Sequence, residues 1–337
     1  MLAVEHVSKS YGRVTALRNV SFHIPSGALV GLLGSNGAGK SSLLRIIAGY
    51  LAPTDGGVRL DGLSYLDDPV QFRRRIGYLP EDTPLYRDMR VKAYLGYRGR
   101  LKGLRSRYLR RRRREMLAAC GLEPVADRLI GSLSRGFRQR LGLADALLHD
   151  PDFLMLDEPT ANLDPNQRRQ MRELIRGLAG RHTVLLSSHI LPDVDSICDH
   201  LVVLHQGGLA AEGPPATLRR QVGDRRRVRM EVRAPDGAAP DGTALAAHCR
   251  LESAVIDVNP LDDGWHEIRL EKLEDVVIDP REGLFQWAVS NGLQVRELHA
   301  PTPRLEDLFA TLTHPETIRS AADDAAGLKP DAGPSQR

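Results

Sequence analysis

The apolar positions of this chain change period several times, and each change predicts an element. Residues 2 to about 24 alternate in strand fashion: "LAVEHVSKSY", a turn at Gly12, then "VTALRNVSFHI". "ALVGLLG" (Ala28 to Gly34) is a short apolar run interrupted and closed by glycine, as in a buried strand. After Gly39 the period becomes helical: Leu43, Leu44, Ile47, Ala48 and Leu51 share one face, and Pro53 is expected to end the element. Strand, glycine-rich turn and helix therefore follow one another directly.

The alternation returns later. "FLMLDEP" predicts a strand, Pro165 to Leu178 a helix and "TVLLSSH" a strand, and "LVVLHQGGLAAEG" predicts a hairpin. Residues 89–148, between the two α/β portions, are almost wholly helical in pattern. From about Arg225, "RVRMEVRA", "SAVIDVNP", "WHEIRLEKL" and "LQVRELHA" alternate as strands. A helix is expected around Leu284 to Asn291 and another over "RLEDLFATLT". The expected organisation is an α/β domain over 1–225, with a β-rich N-terminal part and a helical insertion at 89–148. A small accessory α+β domain over 226–314 and a disordered tail over 315–337, rich in Ala, Asp, Gly and Pro, complete it.

Composition narrows this little. The chain has 337 residues, enough for two domains, and its 42% apolar and 27% charged content is ordinary for a soluble protein. Cys120, Cys198 and Cys249 are far apart and follow no metal-ligand spacing, so free thiols in a reducing compartment are expected. "MLAVEHVSKSYG" lacks the basic flank and apolar run of a signal peptide, and no stretch approaches a membrane span. The net charge of +4 is unevenly placed: ten of the seventeen residues from Arg98 to Arg114 are Lys or Arg. That stretch reads either as a solvated helical face or as a contact zone for an acidic helix or anionic lipid headgroups. Nucleic acid is a third reading, although Tyr94, Tyr97 and Tyr108 are few for stacking on single strands.

The chemistry begins at "GSNGAGKSS", which matches G-x-x-x-x-G-K-[ST] between a predicted strand and a predicted helix. Gly34, Gly37 and Gly39 permit close backbone approach. The N–H groups of Ser35, Asn36, Ala38 and Ser42 with their neighbours can then ring a phosphate. Lys40 is placed to reach the β- and γ-phosphates, and Ser41 to offer its hydroxyl to Mg²⁺. Two consecutive acids then close an apolar strand. Asp157 suits Mg²⁺ and Glu158 suits a general base for water, whereas alone "DEPT" would read as a solvated turn. His189 follows another buried strand, where an imidazole could reach the γ-phosphate. "LSRG" adds Ser134 and Gly136 at the mouth of a helix, a second anion-favouring terminus in one chain.

The order "GSNGAGKS", "LSRGFRQR", "FLMLDEPTANLDP" and "SSH" resembles the nucleotide-binding subunit of an ATP-binding cassette transporter, over residues 2 to about 225. The resemblance implies that Tyr11 stacks on adenine and that Ser134 and Gly136 face an ATP held by the P-loop of a second subunit. It also implies that "ANLDP", with Asp164, joins the protomers, and that His189 is the switch histidine. Arg135 and Phe137 depart from the usual L-S-G-G-Q, and Glu81 in "IGYLPEDTPLY" stands where glutamine is common, as a carboxylate that can still ligate Mg²⁺. "GYLPE" and the C-terminal segment are similar to the ABC-2 type branch of gliding-motility, multidrug and copper-processing export ATPases. The expected protein is thus an ATP- and Mg²⁺-dependent ATPase at the cytoplasmic face of the membrane. It would pair with an identical or homologous cassette and energise a separately encoded permease. A soluble ATPase of the same family acting on ribosomes or nucleic acid is the alternative. Lys40 and Asp157 are 117 residues apart, which leaves no room for the long coiled coils of the chromosome-organising members.

Overall fold

The computed structural model describes residues 2–222, 226–241, 244–245, 255–273, 280–299 and 305. It divides into two compact units, Met1–Pro215 and Ala216–Thr311. The change of sequence character at Arg225 thus falls inside the second unit. Cys249, most of the "RLEDLFATLT" helix and the tail after 315 lie outside the described residues.

In the first unit, β1 (Leu2–Tyr11) and β2 (Val14–Ile24) form the expected hairpin around Gly12. With β4 (Asp55–Leu60) and β5 (Leu63–Ser64) they make a four-stranded sheet of order β2-β1-β4-β5. The second sheet contains β3 (Leu29–Gly34), β6 (Ile76–Leu79), β7 (Phe153–Asp157), β8 (Thr183–Ser187), β9 (His200–His205) and β10 (Gly208–Gly213). Its order is β10-β9-β3-β8-β7-β6. The five strands from β9 to β6 run parallel, and only the hairpin partner β10 is antiparallel. β3 and β8 are buried throughout, which explains their continuous apolar runs. Helix α1 (Lys40–Ile47) shares one core with both sheets: Leu43, Leu44 and Ile47 pack with Val4, Phe22, Val30, Met155 and Leu185.

One expectation fails here. Helix α1 ends at Ile47, well before Pro53, and Leu51 is not on its face. Gly49 takes φ +69°, its N–H bonds to Ile46 O, and those of Tyr50 and Leu51 both bond to Arg45 O, a left-handed glycine stop. A Cβ at Gly49 would lie 2.6 Å from the Tyr65 ring, so glycine is required there for space as well as conformation. Leu51 still packs against the core, but from the loop.

The insertion is helical as its pattern implied. It comprises α3 (Val91–Leu101), α4 (Ser106–Ala119) and α5 (Arg135–Leu147), while α2 (Pro69–Arg74) precedes β6 outside it. Helices α6 (Pro165–Arg176), α7 (Leu191–Ile197) and α8 (Pro215–Val222) follow. The second unit holds β11 (Arg226–Arg233), β12 (Val255–Pro260), β13 (His266–Leu273) and β14 (Gln294–His299), with α9 (Pro280–Ser290). Its sheet is antiparallel, ordered β12-β13-β11-β14, and buries Val228, Met230, Val232, Ile268 and Leu270 against Leu284, Trp287 and Ala288 of α9. Among the described residues no helix is long and apolar enough to cross a membrane.

Candidate nucleotide site

The strand register decides which loops meet. Leu32 pairs with Ser187, Asp157 with Ser187, and Leu79 with Leu156. The segments leaving the carboxyl ends of β3, β8, β7 and β6 therefore emerge side by side, at the edge where open α/β sheets bind ligands. They carry, in that order, the P-loop, His189, the Asp157–Glu158 pair and Glu81. The side chain of Glu81 is exposed.

The P-loop geometry follows from its glycines. Gly37 and Gly39 have φ of +83° and +102°, in the region that glycine occupies without strain. A Cβ on Gly39 would stand 2.6 Å from Ala16 O, and one on Gly34 would stand 2.8 Å from Leu204 O. No side chain caps the start of α1, so its first N–H groups and its positive dipole end point out of the loop. Ser35, Asn36 and Gly37 are exposed, Ala38 is buried, and Ser41 sits exposed in the first turn. Lys40 Nζ donates to Gly34 O at 2.6 Å and Ser35 O at 3.2 Å. Burial lowers the Lys40 pKa from its usual value, while the charges of Glu158 and Asp157 oppose that shift. Tyr11 is 46% exposed, and its hydroxyl lies 3.4 Å from Ser42 Oγ in α1.

The two acids are held differently. Asp157 Oδ1 accepts from Ser187 Oγ at 2.6 Å, and Oδ2 accepts from Tyr78 OH at 3.5 Å. Glu158 adopts φ +50°, a left-handed conformation uncommon outside glycine. Its N–H is shared between Ser187 O at 3.2 Å and Ser187 Oγ at 3.1 Å. Its Oε2 lies 2.8 Å from His189 Nδ1 and also accepts the His189 N–H at 3.4 Å. The structure thus brings His189 to the carboxylate of Glu158, a pairing the sequence did not reveal.

A second group gathers elsewhere. Ser134 is exposed and caps α5, accepting from Phe137 N–H at 3.4 Å. Asp164 caps α6 by accepting from Gln167 N–H at 2.9 Å, with Pro165 in the first turn. A Cβ on Gly136 would lie 2.6 Å from Gln167 Cδ, so α5 and α6, the helix that follows "ANLDP", touch through that glycine. Arg140 of α5 bonds Gln170 of α6 across the same seam. None of the hydrogen bonds of Lys40 reaches this second group. Arg135 is exposed on the first turn of α5.

Sequence reasoning overlooked Tyr78, Gln167 and Ser187. The one available signal was a hydroxyl closing the apolar run "TVLL", and it is ambiguous without knowing which strand lies alongside.

Comparison with known proteins agrees with this geometry. Residues 17–161 match the family described as ABC transporter. An uncharacterized ABC transporter ATP-binding protein, YxlF of Bacillus subtilis, is 42% identical over 221 residues, 66% of this chain and 73% of the relative. Nod factor export ATP-binding protein I of Burkholderia orbicola is 35% identical over 312 residues, 91% of this chain and 95% of the relative. A solved dimeric post-hydrolysis state of the cassette MJ0796 bound to ADP and Pi matches with TM-score 0.58 and 27% identity, covering 64% of this chain and 98% of that one. The chain belongs to the ABC transporter family and is an ATP-binding, ATP-hydrolysing cassette of it.

Proposed function

We propose that this chain is the ATPase subunit of an exporter, working at the cytoplasmic face of the membrane with a separately encoded permease and a second copy of itself. The relative named for Nod factor export aligns along 95% of its own length, second unit included, which supports the export reading. The domain assignment follows: residues 1–225 act as the cassette, with 226–314 as an accessory domain.

The observation that carries the catalytic reading is the meeting of Lys40, Asp157, Glu158 and His189 at one sheet edge. ATP would lie with its phosphates over the N-terminus of α1, ringed by the N–H groups from Gly34 to Ser42. Lys40 would exchange its carbonyl partners for phosphate oxygens, and Tyr11, exposed beside Ser42, would cover the adenine. The donor set fits Mg²⁺: Ser41, Asp157 and Glu81 offer only oxygen. A cation that completes its shell with phosphates and water needs no larger protein cluster. Mg²⁺ would neutralise charge on the phosphates. Glu158 would accept a proton from the attacking water, and His189 would hold that carboxylate in place.

Ser134 and Gly136 stand at an exposed helix N-terminus in a group of their own, with Asp164 at the adjoining α6 cap. That arrangement suits the phosphates of an ATP held by a partner cassette, giving two composite sites per dimer. The test is Glu158→Gln, which keeps the shape and removes the base. With ATP and Mg²⁺ it should bind nucleotide, cease hydrolysis and accumulate as a dimer by light scattering. A variant that remains monomeric under those conditions refutes the shared-site reading.

A further inference from the structure

Asp157 is fixed from both sides by hydroxyls that belong to neighbouring strands. Ser187, the last residue of β8, is 0% exposed. A hydroxyl buried to that degree costs free energy unless both its donor and its acceptor capacity are used. Here both are used on the acids: the proton goes to Asp157 Oδ1 at 2.6 Å, and the oxygen accepts the Glu158 N–H at 3.1 Å. Tyr78 in β6 occupies the other oxygen, Oδ2, at 3.5 Å.

We propose that Ser187 and Tyr78 are positioning residues that orient the Asp157 carboxylate for its divalent cation, Ser187 also pinning the strained backbone of Glu158. The chemistry of the donors supports this. A guanidinium or ammonium on Asp157 would cancel the charge that attracts a cation, whereas two neutral hydroxyls fix the carboxylate plane and leave the charge in place. Each oxygen keeps a lone pair after accepting one bond. Ser187 makes the short bond and Tyr78 the long one, so the two contributions should rank in that order. One residue also joins the metal acid to the hydrolytic acid, because Ser187 holds a side-chain oxygen of Asp157 and the main chain of Glu158.

The inference rests on reading Asp157 as the metal acid, and the experiment separates the two. A fluorescent ATP analogue is titrated into wild type, Ser187→Ala, Ser187→Thr and Tyr78→Phe, first in EDTA and then across a Mg²⁺ series. Without metal all four should bind alike. In Ser187→Ala the half-saturating Mg²⁺ concentration should rise by about tenfold, the lower end expected when a group supporting a metal ligand is lost. Tyr78→Phe should raise it by less, and Ser187→Thr, which keeps the hydroxyl, should restore it. Wild-type Mg²⁺ dependence in both hydroxyl-deleted variants overturns the proposal. So does a loss of metal-free affinity as large as the loss with Mg²⁺, since the hydroxyls would then only support the fold. A wild-type protein whose nucleotide binding ignores Mg²⁺ would instead overturn the assignment of Asp157. If Ser187→Ala does not fold, Tyr78→Phe and Ser187→Thr carry the comparison.

Discussion

Arg112 is the middle residue of five consecutive arginines, yet its side chain is 3% exposed while Arg110 and Arg114 face solvent. Its guanidinium reaches the C-terminal end of α5, the helix that opens at Ser134. Nη2 donates to Leu147 O at 2.7 Å and Nε to Leu148 O at 3.3 Å. These are among the last carbonyls of a helix, which have no partner within it and which a cation there stabilises. Glu115 at 2.9 Å and Asp150 at 3.3 Å complete the shell. Replacing Arg112 with alanine strands Leu148 O and leaves Leu147 O with the Asp150 N–H, at 3.0 Å, in place of two donors. The acids, 43% and 39% exposed, turn to water and add little. Hydrogen bonds from a charged donor contribute about 1.5–3 kcal/mol each, and removing one partner of a buried ion pair costs about 3–5 kcal/mol. With its acids resolvated, Arg112→Ala should lie near the lower figure, about 3 kcal/mol. Urea unfolding monitored by circular dichroism measures it, with Arg110→Ala and Arg114→Ala as controls expected within about 0.5 kcal/mol of wild type. An Arg112→Ala value inside that control band would refute the argument that this arginine braces α5.

Further expectations concern the P-loop and a buried histidine. Gly39→Ala must fit a side chain at φ +102° with its Cβ 2.6 Å from Ala16 O. Backbone strain and overpacking together should cost about 2–5 kcal/mol in urea unfolding and abolish nucleotide binding; a stable, nucleotide-binding variant would contradict this. His149 Nε2 lies 3.1 Å from Ile76 O and its Nδ1 3.1 Å from Lys102 Nζ. Burial, then the Lys102 charge, lowers its pKa from 6.5 to about 4. Between those values the unfolded chain binds the extra proton, so the contribution of His149 to stability is full above about 6.5 and falls as pH drops toward 4. Denaturation at pH 7 and pH 5 should show a smaller acid-side loss in His149→Gln than in wild type, and equal losses would remove His149 as the cause.

Cys120 and Cys198, read as free thiols, are free and buried, and burial pushes the Cys120 thiol up to about 12. The strand–P-loop–helix unit was equally readable, because its requirements are local: glycines where φ must be positive, and an apolar strand directly before them. The order of the motifs, with the resemblance it carried, pointed to an ATPase cassette. Helix α1 is where the expected end at Pro53 failed: the stop is the left-handed Gly49, a local signal, and the Tyr65 ring adds only that no larger residue fits there.

What the sequence determined by itself is therefore whatever a few consecutive residues decide: backbone torsions, period, and the identity of acids, lysine and histidine at their spacings. What only the tertiary structure decided is pairing across distance. Register set β8 beside β7, so that Ser187 meets Asp157 and His189 meets Glu158. Packing of α4 against α5 separated Arg112 from its four neighbours, identical in type but not in burial. The physical reason is the same in each case. A hydroxyl or a guanidinium carries no instruction about its partner, and the cost of burying it unpaired is felt only once the surrounding elements have closed over it.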